Sequence, residues 1–188
     1  MLVTLFNVVA VAWPISEVIL GLLSHGKRRS AAVRDRGSLV VLWVAIVAGV
    51  TLGNLIRFTR VGSIGVSPAV FVPAALVLLV CGLALRWTAI LTLGHLFTPE
   101  VAVRPGQQIV RTGVYRHVRH PAYSGLLLAF LGLGLAFDNW LSLVVLFTPI
   151  LFALTYRMRV EEKALLEILG REYADYCGTT RRLIPGLY

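Results

Sequence analysis

Residues 113–125 read Gly-Val-Tyr-Arg-His-Val-Arg-His-Pro-Ala-Tyr-Ser-Gly, and an apolar run follows directly. Five ring or guanidinium side chains, those of Tyr115, Arg116, His117, Arg119 and His120, stand immediately before a segment that is apolar enough to be a membrane helix. Polar and ionisable side chains at such a boundary are typical of a functional site. The stretch predicts a polar site built at a membrane surface.

The composition around this stretch is that of an integral membrane protein. Of the 188 residues, 57% are hydrophobic and 14% are charged, and the mean hydropathy is +0.81. These values are far from those of a soluble domain. One helical bundle fits this length, and no strand-helix alternation or Gly-x-Gly-x-x-Gly turn indicates a Rossmann-type domain.

Apolar stretches predict an all-α protein with five transmembrane helices. Residues 1–90 form a scaffold of three spans, and residues 91–188 form a core with a helical hairpin. Only Asp138 and Asn139 separate the hairpin helices, which must be antiparallel neighbours, and Gly125, Gly132 and Gly134 allow their backbones to pack closely. The predicted spans are 3–23, 39–57, 68–91, 122–137 and 140–156.

The basic residues predict the orientation of this bundle. Fifteen of the eighteen Lys and Arg residues fall in the first loop, the third loop and the tail. By the positive-inside rule the N-terminus lies outside and the C-terminus is cytosolic. The net charge of +9 is then explained by topology and contact with anionic membrane lipids, and we expect no nucleic-acid partner. Segments 92–121 and 157–188 share the cytosolic face and predict one composite site there.

The segment 157–170 predicts an amphipathic helix that continues the fifth span. Leu165, Leu166 and Leu169 have helical spacing, and Gly170 predicts the C-cap. Arg157 and Glu161 lie four residues apart, so spacing alone favours an ordinary ion pair. Their place at the membrane boundary, opposite the other polar segment, favours a functional site.

Several separated motifs, taken in order, resemble the isoprenylcysteine carboxyl methyltransferase family. They are Leu93-Gly94-His95, Gly113-Val114-Tyr115, Arg119-His120-Pro121-Ala122-Tyr123-Ser124-Gly125, Arg157 with Glu161-Glu162, and Gly170-Arg171-Glu172-Tyr173-Ala174-Asp175-Tyr176 followed by Pro185. The resemblance covers about residues 91–188 and is to a short, prokaryotic-type member related to phospholipid methyltransferases. It implies a membrane methyltransferase that uses S-adenosyl-L-methionine, with S-adenosyl-L-homocysteine as product, in a cytosolic pocket formed by the loop before span 4 and the C-terminal helices. A lipid-tailed acceptor would enter from the bilayer.

The resemblance also implies roles for individual residues. Arg157 matches the arginine that binds the acceptor carboxylate, and Arg119 opens the Arg-His-Pro motif; both are candidate catalytic and substrate-binding residues. Gln107-Gln108 and Ile109-Val110 depart from the residues most common in the family. The implied cofactor-binding residues are Gln107, Gln108, Ile109, Val110, Tyr115, His120, Pro121, Ala122, Tyr123 and Glu161.

The chemistry of these residues favours an isoprenylcysteine-like carboxylate as acceptor, because a carboxylate is ionised at neutral pH and needs no base. A phenol, pyrone or phospholipid amine would need His120, Glu161 or Glu162 to remove a proton. We expect no metal site, and the oligomeric state stays open. Glu17 and Arg86, ionisable residues in apolar segments, predict a mutual structural pair, with a small transporter as the alternative function. A membrane reductase with a nicotinamide cofactor is a third possibility.

Overall fold

The computed structural model describes residues 1–24, 32–33, 37–59, 61–99, 102–103 and 108–188. Helices dominate these residues, as the all-α prediction requires. The α-helices in chain order are α1 (Leu2–Ser24), α2 (Ser38–Ile56), α3 (Pro68–Leu93), α4 (Pro121–Leu135), α5 (Trp140–Leu169) and α6 (Arg171–Thr179).

Four of the described helices are long and apolar enough to cross a membrane: α1, α2, α3 and α5. The fourth predicted span, at 122–137, corresponds to α4, which begins one residue earlier and ends two residues sooner than predicted. Helix α4 has 15 residues, which gives about 23 Å against a hydrocarbon core of about 30 Å. Its Leu126, Ala129 and Phe130 are buried among the other helices, so α4 does not need the length of a lipid-exposed span.

Among the described residues, the one ordered element that is not a helix is a short two-stranded sheet. Strand β1 (Ala32–Val33) pairs antiparallel with β2 (Ala102–Val103), with Ala32 opposite Val103. The sheet connects the segment between α1 and α2 to the segment between α3 and α4.

Glycines place α3 and α4 in direct backbone contact. A methyl group added to Gly82 of α3 would lie 2.6 Å from the Gly125 carbonyl oxygen of α4, and one added to Gly132 would lie 2.7 Å from the Ala75 oxygen. No side chain fits at such distances, so the glycines allow the close approach typical of membrane helices. The close packing expected of Gly125 and Gly132 is confirmed, but against α3 rather than α5. The predicted division near residue 90 falls within α3.

The two ends of the bundle are built differently. At one end Ser63 forms a backbone bridge with Asn139, and Trp140 donates from its backbone N–H to the Gly62 carbonyl at 2.8 Å. The α2–α3 and α4–α5 connections therefore lie together. The opposite end carries the beginning of α4 and the last turns of α5, as a composite site requires.

Helix α5 is continuous over 30 residues. Asn139 caps it by accepting a hydrogen bond from the Ser142 N–H at 3.0 Å, and it ends at Gly170, whose φ is +54°. The predicted amphipathic helix is thus the last part of the fifth span, as expected.

Candidate active site

The site begins where the chain enters α4. His120 is the N-cap and Pro121 the first helical residue, a position that suits proline because its missing N–H would have no partner within the helix. The C-terminal segment holds this entrance in place: the Arg119 N–H donates to the Arg181 carbonyl at 2.7 Å, and the His120 N–H to the Arg182 carbonyl at 3.0 Å. The backbone of the Arg-His-Pro motif is therefore fixed by residues some sixty positions later.

The carboxylate of Glu162 gathers three of the surrounding side chains. It accepts hydrogen bonds from Arg119 Nε at 3.1 Å and from Arg182 Nη2 at 2.7 Å, and its Oε1 lies 3.2 Å from His120 Nε2. Charged hydrogen bonds of this kind are among the stronger polar interactions in proteins. Glu162 therefore connects α5 to the entrance of α4 and to the C-terminal segment.

Arg119 has a second set of contacts. Its Nη1 donates to the carbonyl oxygens of Cys177 at 3.1 Å and Thr180 at 2.5 Å. The Arg119 guanidinium thus connects α6 to Glu162, and the side chain also lines the cavity described below. These contacts are those of a residue that holds α6 and Glu162 in position around the site.

Tyr123 connects the two residues that the sequence placed four apart on α5. Its hydroxyl donates to Glu161 Oε2 at 2.7 Å and accepts from Arg157 Nε at 3.0 Å. The Tyr123 ring stacks on the His120 ring, with centroids 5.4 Å apart and planes at 7°. Arg157 and Glu161 are therefore joined through a tyrosine.

Arg157 is 4% exposed. Besides Tyr123, its guanidinium donates from Nη1 to the Ser38 hydroxyl at 3.0 Å and from Nη2 to the Pro99 carbonyl. Three separate parts of the chain thus hold its planar, permanently charged group, which suits two-pronged binding of a carboxylate.

A cavity of about 120 Å³ lies over these side chains; we call it the polar cavity because Arg119, His120 and Glu161 line it. Gln107 lies outside the described residues, and Pro121 is buried within the start of α4 and does not line the cavity. Sequence-predicted residues that do line it are Gln108, Ile109, Val110, Tyr115, Arg119, His120, Ala122, Tyr123, Arg157 and Glu161. The structure therefore brings most of the predicted site residues to one cavity.

Tyr173 and Tyr176 of α6 also line the polar cavity, together with Tyr115. The Tyr176 hydroxyl donates to the Tyr115 carbonyl at 2.7 Å. Burial raises the pKa of Tyr176 to about 12, although Arg119 opposes the shift, and burial followed by the charge of Glu161 raises the pKa of Tyr115 further. Near neutral pH these side chains are uncharged aromatic surfaces with hydroxyl donors.

A second, mostly apolar cavity of about 670 Å³ adjoins the first. Helices α1, α2 and α4 supply most of its walls, through residues such as Trp13, Leu42, Trp43, Leu126 and Phe130. Phe97, Thr98, Tyr123 and Arg157 line both cavities. Arg157 and Tyr123 thus stand at the junction between a polar space and an apolar one.

Glu17 and Arg86 also line the apolar cavity. Arg86 donates from Nε to Glu17 Oε1 at 2.5 Å and from Nη2 to Oε2 at 2.7 Å, which confirms the predicted structural pair. Trp13 Nε1 donates to the same carboxylate at 3.1 Å, and Arg86 Nη1 to the Ala122 carbonyl at 3.4 Å.

Sequence reasoning missed several residues of this site. The roles of Ser38, Pro99 and Arg182 had no local signal, because each reaches its partner from a distant part of the chain. The apolar cavity was missed because its lining residues are ordinary membrane-helix residues. Aromatic residues at Tyr173 and Tyr176, inside a motif already noticed, were the one usable signal for α6.

Part of the chain is similar to proteins of one known family. The profile of the isoprenylcysteine carboxyl methyltransferase (ICMT) family matches residues 75–167. Protein-S-isoprenylcysteine O-methyltransferase B of Arabidopsis thaliana is 33% identical over 112 residues, which are 58% of this chain and 57% of that protein. The protein-S-isoprenylcysteine O-methyltransferase of Saccharomyces cerevisiae is 37% identical over 101 residues, which are 53% of this chain and 42% of that protein.

A solved structure of a eukaryotic intramembrane Ras methyltransferase, ICMT, is similar with a TM-score of 0.58 and 25% identity. The match covers 77% of this chain and 52% of that one. The chain spans about half the length of the relatives it matches. Residues 75–167, which contain α4, Arg157 and Glu161, belong to the isoprenylcysteine carboxyl methyltransferase family.

Proposed function

We propose that this protein is an S-adenosylmethionine-dependent methyltransferase that methylates the carboxylate of a lipid-tailed, isoprenylcysteine-like acceptor at the membrane. The observation that carries the proposal is the junction of the two cavities at Tyr123 and Arg157. A charged cofactor and an apolar acceptor need different surroundings, and these meet where a carboxylate would be bound.

The lining of the polar cavity suits the cofactor in chemistry. Glu161 offers a carboxylate for an ammonium group, and Tyr115, Tyr173 and Tyr176 offer aromatic surfaces for a purine and a sulfonium. Its 120 Å³ is below the roughly 300–1,000 Å³ of ligand pockets in general. Cofactor binding must therefore widen the cavity.

The reaction needs orientation more than acid-base chemistry. When bound, S-adenosylmethionine supplies a methyl group on a cationic sulfur, and a new C–O bond forms from the acceptor carboxylate as the C–S bond breaks and its electron pair stays on sulfur. Arg157 would hold the carboxylate by its planar guanidinium and direct one oxygen to the methyl group. No proton moves, so no general base is required.

The contacts of His120 and Glu162 favour this acceptor over a phenol or an amine. Such acceptors must lose a proton to a base, yet Glu162 accepts hydrogen bonds from two arginines and lies beside His120. A carboxylate stabilised in this way is a poor proton acceptor. Of the two glutamates, Glu161 is then the remaining candidate base, and it already accepts a hydrogen bond from the Tyr123 hydroxyl.

Titration calorimetry of the detergent-purified protein with S-adenosylhomocysteine tests the cofactor part. We expect micromolar binding by the wild type and at least tenfold weaker binding by Glu161→Ala, because a hydrogen bond to a charged group contributes about 1.5–3 kcal/mol. Glu167→Ala is the matched control, since Glu167 lies on the same helix and does not line the polar cavity. Absence of binding by folded wild type would refute the proposal and favour the transporter or the reductase.

The acceptor part is tested with N-acetyl-S-farnesylcysteine and its methyl ester as a blocked control. Methyl transfer to the acid alone supports carboxyl methylation. Transfer to an alkyl phenol or a phospholipid amine instead would contradict it.

We also propose that the site end faces the cytosol, supported by the distribution of basic residues. Protease digestion of sealed inside-out vesicles should remove the C-terminal segment. Protection of that segment would contradict the proposed orientation.

A further inference from the structure

Helix α1 lies outside the segment 75–167 that identifies the family, yet it forms one wall of the apolar cavity. Its contribution includes Ala10, Trp13, Glu17 and Val18. Trp13 is the largest of these side chains and is only 7% exposed. Any effect of α1 on the reaction would therefore act through the molecule that occupies the apolar cavity.

The position of Trp13 along the cavity follows from its partner on α4. The Trp13 and Phe130 rings are in contact, with centroids 4.7 Å apart and planes at 55°. Phe130 lies seven residues beyond Tyr123 on α4, which is about 10 Å at the rise of an α-helix. The aromatic pair thus lines the cavity about 10 Å from the hydroxyl that touches Arg157.

The cavity continues past this pair. Ala10, one turn beyond Trp13, and Leu133, one turn beyond Phe130, also line it. A tail whose head group is at Arg157 would reach the aromatic pair partway along its length. Whether a longer tail fits would then depend on the Trp13 ring.

The Trp13 ring is held by a polar chain that runs to the active site. Trp13 Nε1 donates to Glu17, Glu17 pairs with Arg86, and Arg86 donates to the Ala122 carbonyl. Rotating the indole would break a hydrogen bond to a carboxylate in apolar surroundings, which is costly. The ion pair therefore holds the Trp13 ring in one position in the wall of the cavity.

We infer that Trp13, locked by Glu17 and Arg86, sets the length of the acceptor's lipid tail. The inference rests on the proposed function and adds to it the residue that selects among acceptors. Trp13 touches neither the cofactor cavity nor the carboxylate site. Its effect should fall on tail preference and leave the chemistry unchanged.

The test compares S-geranyl, S-farnesyl and S-geranylgeranyl derivatives of N-acetylcysteine as acceptors for the wild type, Trp13→Ala and Trp13→Phe. We expect Trp13→Ala to raise kcat/KM for the longest tail relative to the shortest by at least about tenfold, since even one methylene in a fitted pocket changes this ratio by about that factor. Trp13→Phe keeps a ring but loses the bond to Glu17, so its ratio should lie between the two. Affinity for S-adenosylhomocysteine should stay at the wild-type value.

Val18→Ala is the matched control, because Val18 lines the same cavity on the same helix but lies more than one turn nearer the site end. Its tail preference should equal that of the wild type. If Trp13→Ala does not fold, Leu133→Phe provides the opposite change, since it fills the far end and should reduce kcat/KM for the longest tail.

Two results would overturn the inference. Folded Trp13 variants whose tail preference equals the wild type's would remove the role of Trp13 while leaving the proposed function intact. A wild type that binds S-adenosylhomocysteine but methylates none of the three acceptors would remove the proposed acceptor and this inference together.

Discussion

The two cavities differ in the part of the chain that builds them. The described residues that line the polar cavity fall between Leu93 and Tyr176, and most of them lie within the family segment, whereas helices α1 and α2 supply much of the apolar one. Among the described residues, Phe97, Thr98, Tyr123 and Arg157 are the ones that line both. Under the proposed function, one region would supply the reaction and another would select the acceptor, so the substrate could change without a change in chemistry.

The largest effect is expected at the junction itself. Arg157→Ala should lower kcat/KM by about 10³, because it removes the cation that orients the acceptor. Methyl transfer to the farnesylcysteine derivative measures the loss, and retained S-adenosylhomocysteine binding shows that the variant is folded.

Arg157→Lys is the sharper comparison, since it keeps the charge but loses the planar pair of donors. It should remain strongly impaired. Activity of Arg157→Ala within tenfold of the wild type would mean that the two cavities do not meet at this residue.

A smaller effect is expected from Tyr123→Phe. The change removes the hydroxyl that links Glu161 to Arg157 but keeps the ring stacked on His120. Loss of such bonds to charged groups, at about 1.5–3 kcal/mol each, should lower kcat/KM about tenfold to a hundredfold, and calorimetry should show weaker cofactor binding as well. An effect on only one of the two ligands would show that Tyr123 serves one cavity rather than both.

The smallest effect is expected on the apolar side alone. Trp43 lines the apolar cavity and is partly exposed, so Trp43→Ala removes part of the surface available to a tail. KM for the acceptor should rise about threefold to tenfold, while kcat and S-adenosylhomocysteine affinity stay unchanged. A matching loss of cofactor affinity would contradict the separation of the two regions.

Sequence reasoning reached the polar cavity because its residues lie in compact motifs. Tyr115, His120, Tyr123 and Glu161 were predicted by resemblance, and the structure brings them together around one cavity. The Glu17–Arg86 pair was predicted for a physical reason, since two opposite charges in apolar segments stabilise each other best when they meet.

The features that sequence reasoning missed depend on packing between segments that are far apart in the sequence. Membrane helices are apolar on every side, so no stripe of residues shows which face of α1 or α2 lines a cavity. The short length of α4 was predicted, but its end was placed two residues too late, since the apolar run continues through Ala136 and Phe137 after the helix has ended. The role of Ser38 beside Arg157 joins residues 119 positions apart.

The continuity of α5 has a mechanical consequence. Arg157 lies seventeen residues from Trp140, or about 26 Å along the helix, and Glu161 about 32 Å, while a typical hydrocarbon core is about 30 Å thick. Trp140 is largely exposed at the other end, where an indole anchors a helix to the interface. The length of α5 therefore sets how deeply the reacting groups lie in the membrane. A thicker or thinner bilayer would tilt the helix or shift the depth of these groups. Methyl transfer in vesicles of graded acyl-chain length should have an optimum, whereas a flat response would mean that the site is insulated from its membrane.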